Sequence, residues 1–75
     1  MKDLIEYIAK AIADHPDAVE VTEMDMKGEA HLKLKVSEED LGRVIGRGGR
    51  VANSMRILLR VAAASRGVRT TLDIL

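Results

Sequence analysis

Between positions 46 and 49 the chain reads Gly46-Arg47-Gly48-Gly49, and the apolar spacing on both sides of this break is helical. Before it, Leu41, Val44 and Ile45 form a short stripe. After it, Val51, Met55, Leu58, Leu59 and Ala62 form a longer inner stripe that runs to about Arg66. Three glycines in four residues cost backbone entropy and do not continue a helix. The segment from Ser37 to Gly67 is therefore two helices joined by a very short, bare connection.

The rest of the chain is built around that pair. Met1, Leu4, Ile5, Ile8 and Ile12 recur at helical spacing, with Lys2, Glu6, Lys10 and Asp14 on another face. This amphipathic helix ends at His15-Pro16, because proline disfavours the α conformation in the residue before it. In the stretch from Ala18 to Lys27, Val19 and Val21 alternate with Glu20 and Thr22 as in a strand. The parity then slips by one to Met24 and Met26, and a β-bulge near Thr22-Glu23 or an early end to the strand would restore the facing. Lys27-Gly28-Glu29 supplies a tight turn. Ala30 to Val36 alternates with Leu32, Leu34 and Val36 inward and His31, Lys33 and Lys35 outward, which completes an antiparallel hairpin.

Ser37 reads as the N-cap of the first helix of the pair, with Glu38, Glu39 and Asp40 in its first turn and Asp40 at the capping-box position. Gly67 closes the second helix as its C′ residue, and Val68, Thr70, Leu72 and Ile74 alternate in a last strand. The order is α-β-β-α-α-β, an α+β chain read as one domain over residues 1–75.

The chain has no cysteine, which excludes disulfides, thiolate metal sites and thiol nucleophiles. A domain of 75 residues must then rely on core packing, and Tyr7 is its only aromatic, so the core is aliphatic. The formal net charge of zero conceals a polarity. Residues 1–40 carry five lysines against eleven acids, a net of −6, and residues 41–75 carry seven arginines against Asp73 alone, a net of +6. No apolar run approaches the ~18–20 residues of a membrane span, and Met1-Lys2-Asp3 does not begin a signal peptide, so a soluble, cytoplasmic domain is expected.

The plainest account of the glycine loop is a helix–helix turn that needs positive φ. Such a turn needs only one or two glycines, whereas three leave a bare backbone against which another chain can lie. Arg47 projects from the loop, Arg43 stands one turn before it, and Arg50 opens the next helix. The N-terminus of that helix offers free N–H groups and a dipole that attract phosphate. Positive charge, exposed donors and absent side chains suit close contact with a sugar-phosphate backbone. A P-loop would need Gly-x4-Gly-Lys-Ser/Thr, and a dinucleotide fingerprint would need a glycine where Val51 stands.

Val44-Ile45-Gly46-Arg47-Gly48-Gly49-Arg50-Val51 resembles the Val/Ile-Ile-Gly-x-x-Gly-x-x signature of KH domains, and the element order is similar to their bacterial type II arrangement. The whole chain resembles the small bacterial single-KH proteins of the KhpA type. That resemblance implies a three-stranded mixed sheet with three helices packed on one face. It also implies a groove that holds about four nucleotides of single-stranded RNA, in a protein of RNA metabolism or an RNA chaperone. On the matching positions, Gly46 and Gly49 are the two fixed glycines, and Arg47 and Gly48 are the pair that faces the phosphates. Val44 and Ile45 supply an apolar floor for bases, and Arg50 and Asn53 border the groove; Arg43, by its charge just before the loop, is a further candidate RNA contact. Gly48 departs from the pattern, since a basic residue often stands there; with one cation in the loop, modest affinity is expected. The lack of aromatics fits an aliphatic groove and argues against RRM, cold-shock and OB-type domains, which stack bases on rings.

No other constellation points to chemistry. His15 and His31 share no ligand spacing with each other or with acids, so no metal or other cofactor is expected. Ser37, Ser54 and Ser65 lack a His-plus-acid context, so no enzyme is expected. His31, Lys33 and Lys35 read as a solvated strand face. Ile57, Val61 and Ala64 form a second apolar face on the long helix, which is either buried under the first helix or used against another protein. By resemblance, the partner is a second copy or another KH-containing protein. The alternative function is thus a homo- or heterodimerising adaptor with weak or vestigial RNA binding.

Overall fold

The computed structural model describes residues 1–75. Helix α1 spans Lys2–Ile12, strands β1 and β2 span Glu20–Met26 and Glu29–Lys35, helices α2 and α3 span Leu41–Ile45 and Arg50–Ala64, and strand β3 spans Arg69–Ile74. Single 3-10 turns at Pro16–Ala18, Glu38–Asp40 and Arg47–Gly49 lead into β1, α2 and α3. β1 pairs antiparallel with β2, and β2 pairs parallel with β3, so the sheet is mixed with β2 at its centre. The parallel pair requires a crossover, and α2 and α3 supply it. Helix α1 packs over β1 and β2, and α3 packs over β3 and against α2. No helix is long and apolar enough to cross a membrane.

The core is aliphatic. Ile5 and Ala9 of α1 meet Val21, Leu32, Leu34 and Leu72 of the sheet and Val44, Met55 and Leu59 of α2 and α3. Burying each of the larger of these side chains contributes about 1.5–3 kcal/mol. The hairpin turns through Lys27 and Gly28, with φ of 40° and 80°. Positive φ at both positions gives a backbone twist that matches the flanking strands.

The parity slip in β1 is resolved in neither of the ways anticipated. The register runs without an extra residue from Glu20 opposite Lys35 to Met26 opposite Glu29. Met24 and Met26 simply point outward, 62% and 55% exposed. Glu23 keeps the inward position because it has a partner there: its carboxylate accepts the Lys2 N–H at 2.9 Å, serving the start of α1. Burial acts to raise the Glu23 pKa, but hydrogen bonds from Asp25 and the Lys2 N–H outweigh it and hold the carboxyl below its ordinary value.

The inner stripe of α3 is also corrected. Ala52, Met55, Leu59 and Ala63 are buried, whereas Leu58 is 47% exposed. Leu58 lies roughly 100° around the helix from Leu59, at the rim of the buried face. At the C-terminus, Gly67 takes φ of 69°. Val68 N–H reaches Ala63 C=O at 3.1 Å and Gly67 N–H reaches Ala64 C=O at 3.2 Å, the Schellman pattern expected of a C′ glycine.

Candidate nucleic-acid interface

Three glycines of the loop do two different jobs. Gly46 ends α2 with φ of 79° and ψ of 167°, a conformation open essentially to glycine alone. A Cβ there would lie 2.6 Å from Val51 Cγ2 and 2.8 Å from Val51 N. Gly46 is thus demanded by the fold. Its N–H donates to Gly42 C=O at 2.9 Å, and its C=O accepts from Gly49 N–H at 3.1 Å, which folds the loop into one turn.

Gly48 and Gly49 are both left-handed, with φ of 65° and 79°. A Cβ on Gly48 would meet nothing within 4 Å, and one on Gly49 would meet only Asn53 Nδ2 at 3.9 Å. Outside these residues is open space. Gly49 is the N-cap residue of α3 and offers no side-chain oxygen, so the amides of the first turn have no side-chain cap. The loop is a ridge and not a pocket. The surface hollows of the molecule lie elsewhere: beside the hairpin turn near Glu23 and Arg66, on α1 around Tyr7, and on the outer sheet face around Met24 and Lys33.

The arginines around the loop differ in what they touch. Arg47 and Arg50 are exposed and have no carboxylate within ion-pair distance. Arg43 is held by Asp14 through two contacts, Nη1 to Oδ1 and Nη2 to Oδ2, each 3.2 Å. Arg56 donates to Leu72 C=O and to Asn53 Oδ1, so it ties α3 to β3. Asn53 is exposed, with its amide nitrogen 3.9 Å from where a Cβ on Gly49 would stand.

The apolar floor is smaller than expected. Val44 is 0% exposed and belongs to the core, because in a five-residue helix it is the position that faces the sheet. Ile45, 37% exposed, is the residue of the pair that keeps apolar surface beside the loop. The second apolar face of α3 is not buried under α1. Ile57 is 54% and Val61 67% exposed, Ala64 is exposed with them, and Leu58 extends the patch.

A clamp that the sequence did not reveal fixes the start of α2. Ser37 Oγ accepts the Glu39 N–H as an N-cap, but at 3.4 Å. Asp40 does not complete a capping box. It is buried, and its carboxylate accepts the backbone N–H groups of Asp14 at 3.0 Å and His15 at 2.9 Å. His15 Nε2 lies 2.9 Å from Glu39 Oε2. These partners are 24 to 26 positions apart, beyond the reach of any local capping pattern.

The clamp makes stability depend on pH from both sides. The hydrogen bond with Glu39 raises the His15 pKa above 6.5, with Glu39, Asp40 and Asp14 adding their charge and desolvation opposing. Burial acts to raise the Asp40 pKa, but the two backbone N–H groups outweigh it and hold the carboxyl below 3.8. The His15 contribution is complete below pH 6.5 and is lost as pH rises through the folded value. The Asp40 contribution is present above pH 3.8 and is lost as pH falls through the folded value. Thermal melting across pH is therefore expected to peak between these two values, and His15→Gln should flatten the alkaline limb while leaving the acid limb. An unchanged alkaline limb in His15→Gln would remove His15 from this account.

The sequence matches the family model described as KhpA/KhpB, KH domain, over residues 2–74. It is 44% identical to the RNA-binding protein KhpA of Halalkalibacterium halodurans over 75 residues, all of this chain and 99% of that protein. The RNA-binding protein KhpA of Treponema pallidum is 42% identical over 74 residues, 99% of this chain and 92% of that one. That of Thermotoga maritima is 46% identical over 59 residues, 79% of each.

Proposed function

The chain belongs to the KhpA/KhpB family of KH domains, and from that premise we propose that it binds single-stranded RNA, about four nucleotides at a time, along the Gly46–Gly49 loop. The observation that carries this reading is the open, left-handed Gly48-Gly49 pair between the unpaired Arg47 and Arg50, leading into a helix start without a side-chain cap. Phosphates sit against the loop amides and the two guanidinium groups. Ile45 supports a base, and Asn53 offers its amide beside the backbone. No step of this reading needs catalysis or a cofactor. Residues 1–75 act as one KH unit, in the cytoplasm, where RNA metabolism or RNA chaperoning takes place.

Salt titration of the affinity for a short labelled oligouridine tests this. Two neutralised phosphates predict a slope of about −1.4 in log K against log salt. Negligible binding even at low salt would leave the adaptor reading in its place.

A second reading concerns the far end of the same helix. Ile57, Leu58 and Val61 expose apolar surface about two to three turns beyond Arg50, and Ala64 continues it. This is the face for a second copy or for another KH-containing protein. Light scattering of the wild type should give a dimer that Ile57→Asp converts to a monomer; a monomer in both cases removes self-association.

A further inference from the structure

The contact between Asp14 and Arg43 joins the end of α1 to the helix that carries the glycine loop, and its geometry is that of an anion site already filled. Both guanidinium Nη atoms face both carboxylate oxygens, each pair at 3.2 Å. A guanidinium fork accepts two oxygens of a carboxylate or two of a phosphate in the same way. Arg43 lies in α2, four residues before Arg47 in the sequence.

Asp14 is held in place from behind. Its own N–H and that of His15 donate to the buried Asp40 carboxylate, so the backbone of residues 14 and 15 is pinned against the start of α2. The side-chain ion pair itself is exposed on both partners, about 60%. An exposed pair of this kind contributes little to stability. It is not needed to hold α2, since the Asp40 hydrogen bonds do that.

We propose that Asp14 is a built-in competitor for RNA phosphate at Arg43, which keeps this third arginine out of the binding site and sets the affinity low. The proposal rests on the RNA-binding reading given above. It predicts that Arg43 contributes almost nothing to binding while Asp14 is present and becomes a phosphate contact when Asp14 is neutralised.

The experiment is fluorescence anisotropy of a short labelled oligouridine across a salt series, with wild type, Asp14→Asn, Arg43→Ala and the double variant. Asn keeps the backbone N–H that Asp40 accepts, and thermal melting of each variant verifies the fold. Asp14→Ser is a second neutral replacement if Asn disturbs it. Arg43→Ala alone should bind within about twofold of wild type. Asp14→Asn should bind ~3- to ~10-fold more tightly at low salt, with a slope steeper by about 0.7. The double variant should return to the affinity of Arg43→Ala. No gain in Asp14→Asn, or a gain that survives in the double variant, overturns the proposal. In those cases wild-type binding with its negative salt slope still stands, whereas no wild-type binding at any salt removes the RNA-binding reading and this inference together.

Discussion

Replacing Arg47 and Gly48 together by Asp is expected to weaken RNA binding by about two orders of magnitude while the domain stays folded. The loop exchanges one positive charge for two negative ones at the point where phosphates approach. Both positions are exposed, and a Cβ on Gly48 meets no atom within 4 Å. The remaining cost is the left-handed backbone at Gly48, φ 65°, which aspartate tolerates better than most residues, at ~1–2 kcal/mol or less. Circular dichroism and melting should therefore be close to wild type. Unchanged affinity in a natively folded variant would sink the loop as the binding element.

Gly46→Ala should do the reverse, damaging the fold first. The added methyl would sit 2.6 Å from Val51 Cγ2 and 2.8 Å from Val51 N, and a φ of 79° with ψ of 167° is costly for any residue with a Cβ. Neither atom is the free end of a flexible chain, so α2 or α3 must shift. The expected loss is ~3 kcal/mol or more, roughly 12–24 °C in melting midpoint for a domain of this size. Total stabilities of small domains are ~5–15 kcal/mol, so this is a large share. Gly48→Ala, with open space and the same sign of φ, should lose far less. A Gly46→Ala variant as stable as wild type would contradict the loop geometry.

These two outcomes divide the glycines in a way that spacing alone does not. The Gly-x-x-Gly break, the element order and the alternation of β2 were legible because each is a local pattern with one physical meaning. Met24 and Met26 read as inward by their apolar side chains, yet the deciding fact is a partner for Glu23 at the start of α1, about twenty positions away in sequence. Val44 and Ile45 look alike as neighbours at a helix end, yet burial separates them into core and surface. Leu58 and Leu59 are separated in the same way.

The charge polarity was legible as a count and misleading as a map. The acidic half is not wholly remote from the arginines. Asp14 reaches Arg43 directly, and Asp40 and Glu39 hold residues 14 and 15 beside it. What remains positive and unpaired at the loop is Arg47 and Arg50. Long-range pairing within a fold, and not net charge, decides which cations are free to meet a phosphate.

RNA lying on the loop and the first turn of α3 would perturb the backbone amides of those residues. Mapping amide chemical-shift changes on titration with a short oligouridine tests this placement most directly. The changes are expected to concentrate at Gly46 to Asn53 and Ile45, with little effect at Ile57, Val61 or the outward row His31, Lys33 and Lys35. Changes confined to α3 beyond Ile57, or to the outer face of the sheet, would contradict this placement.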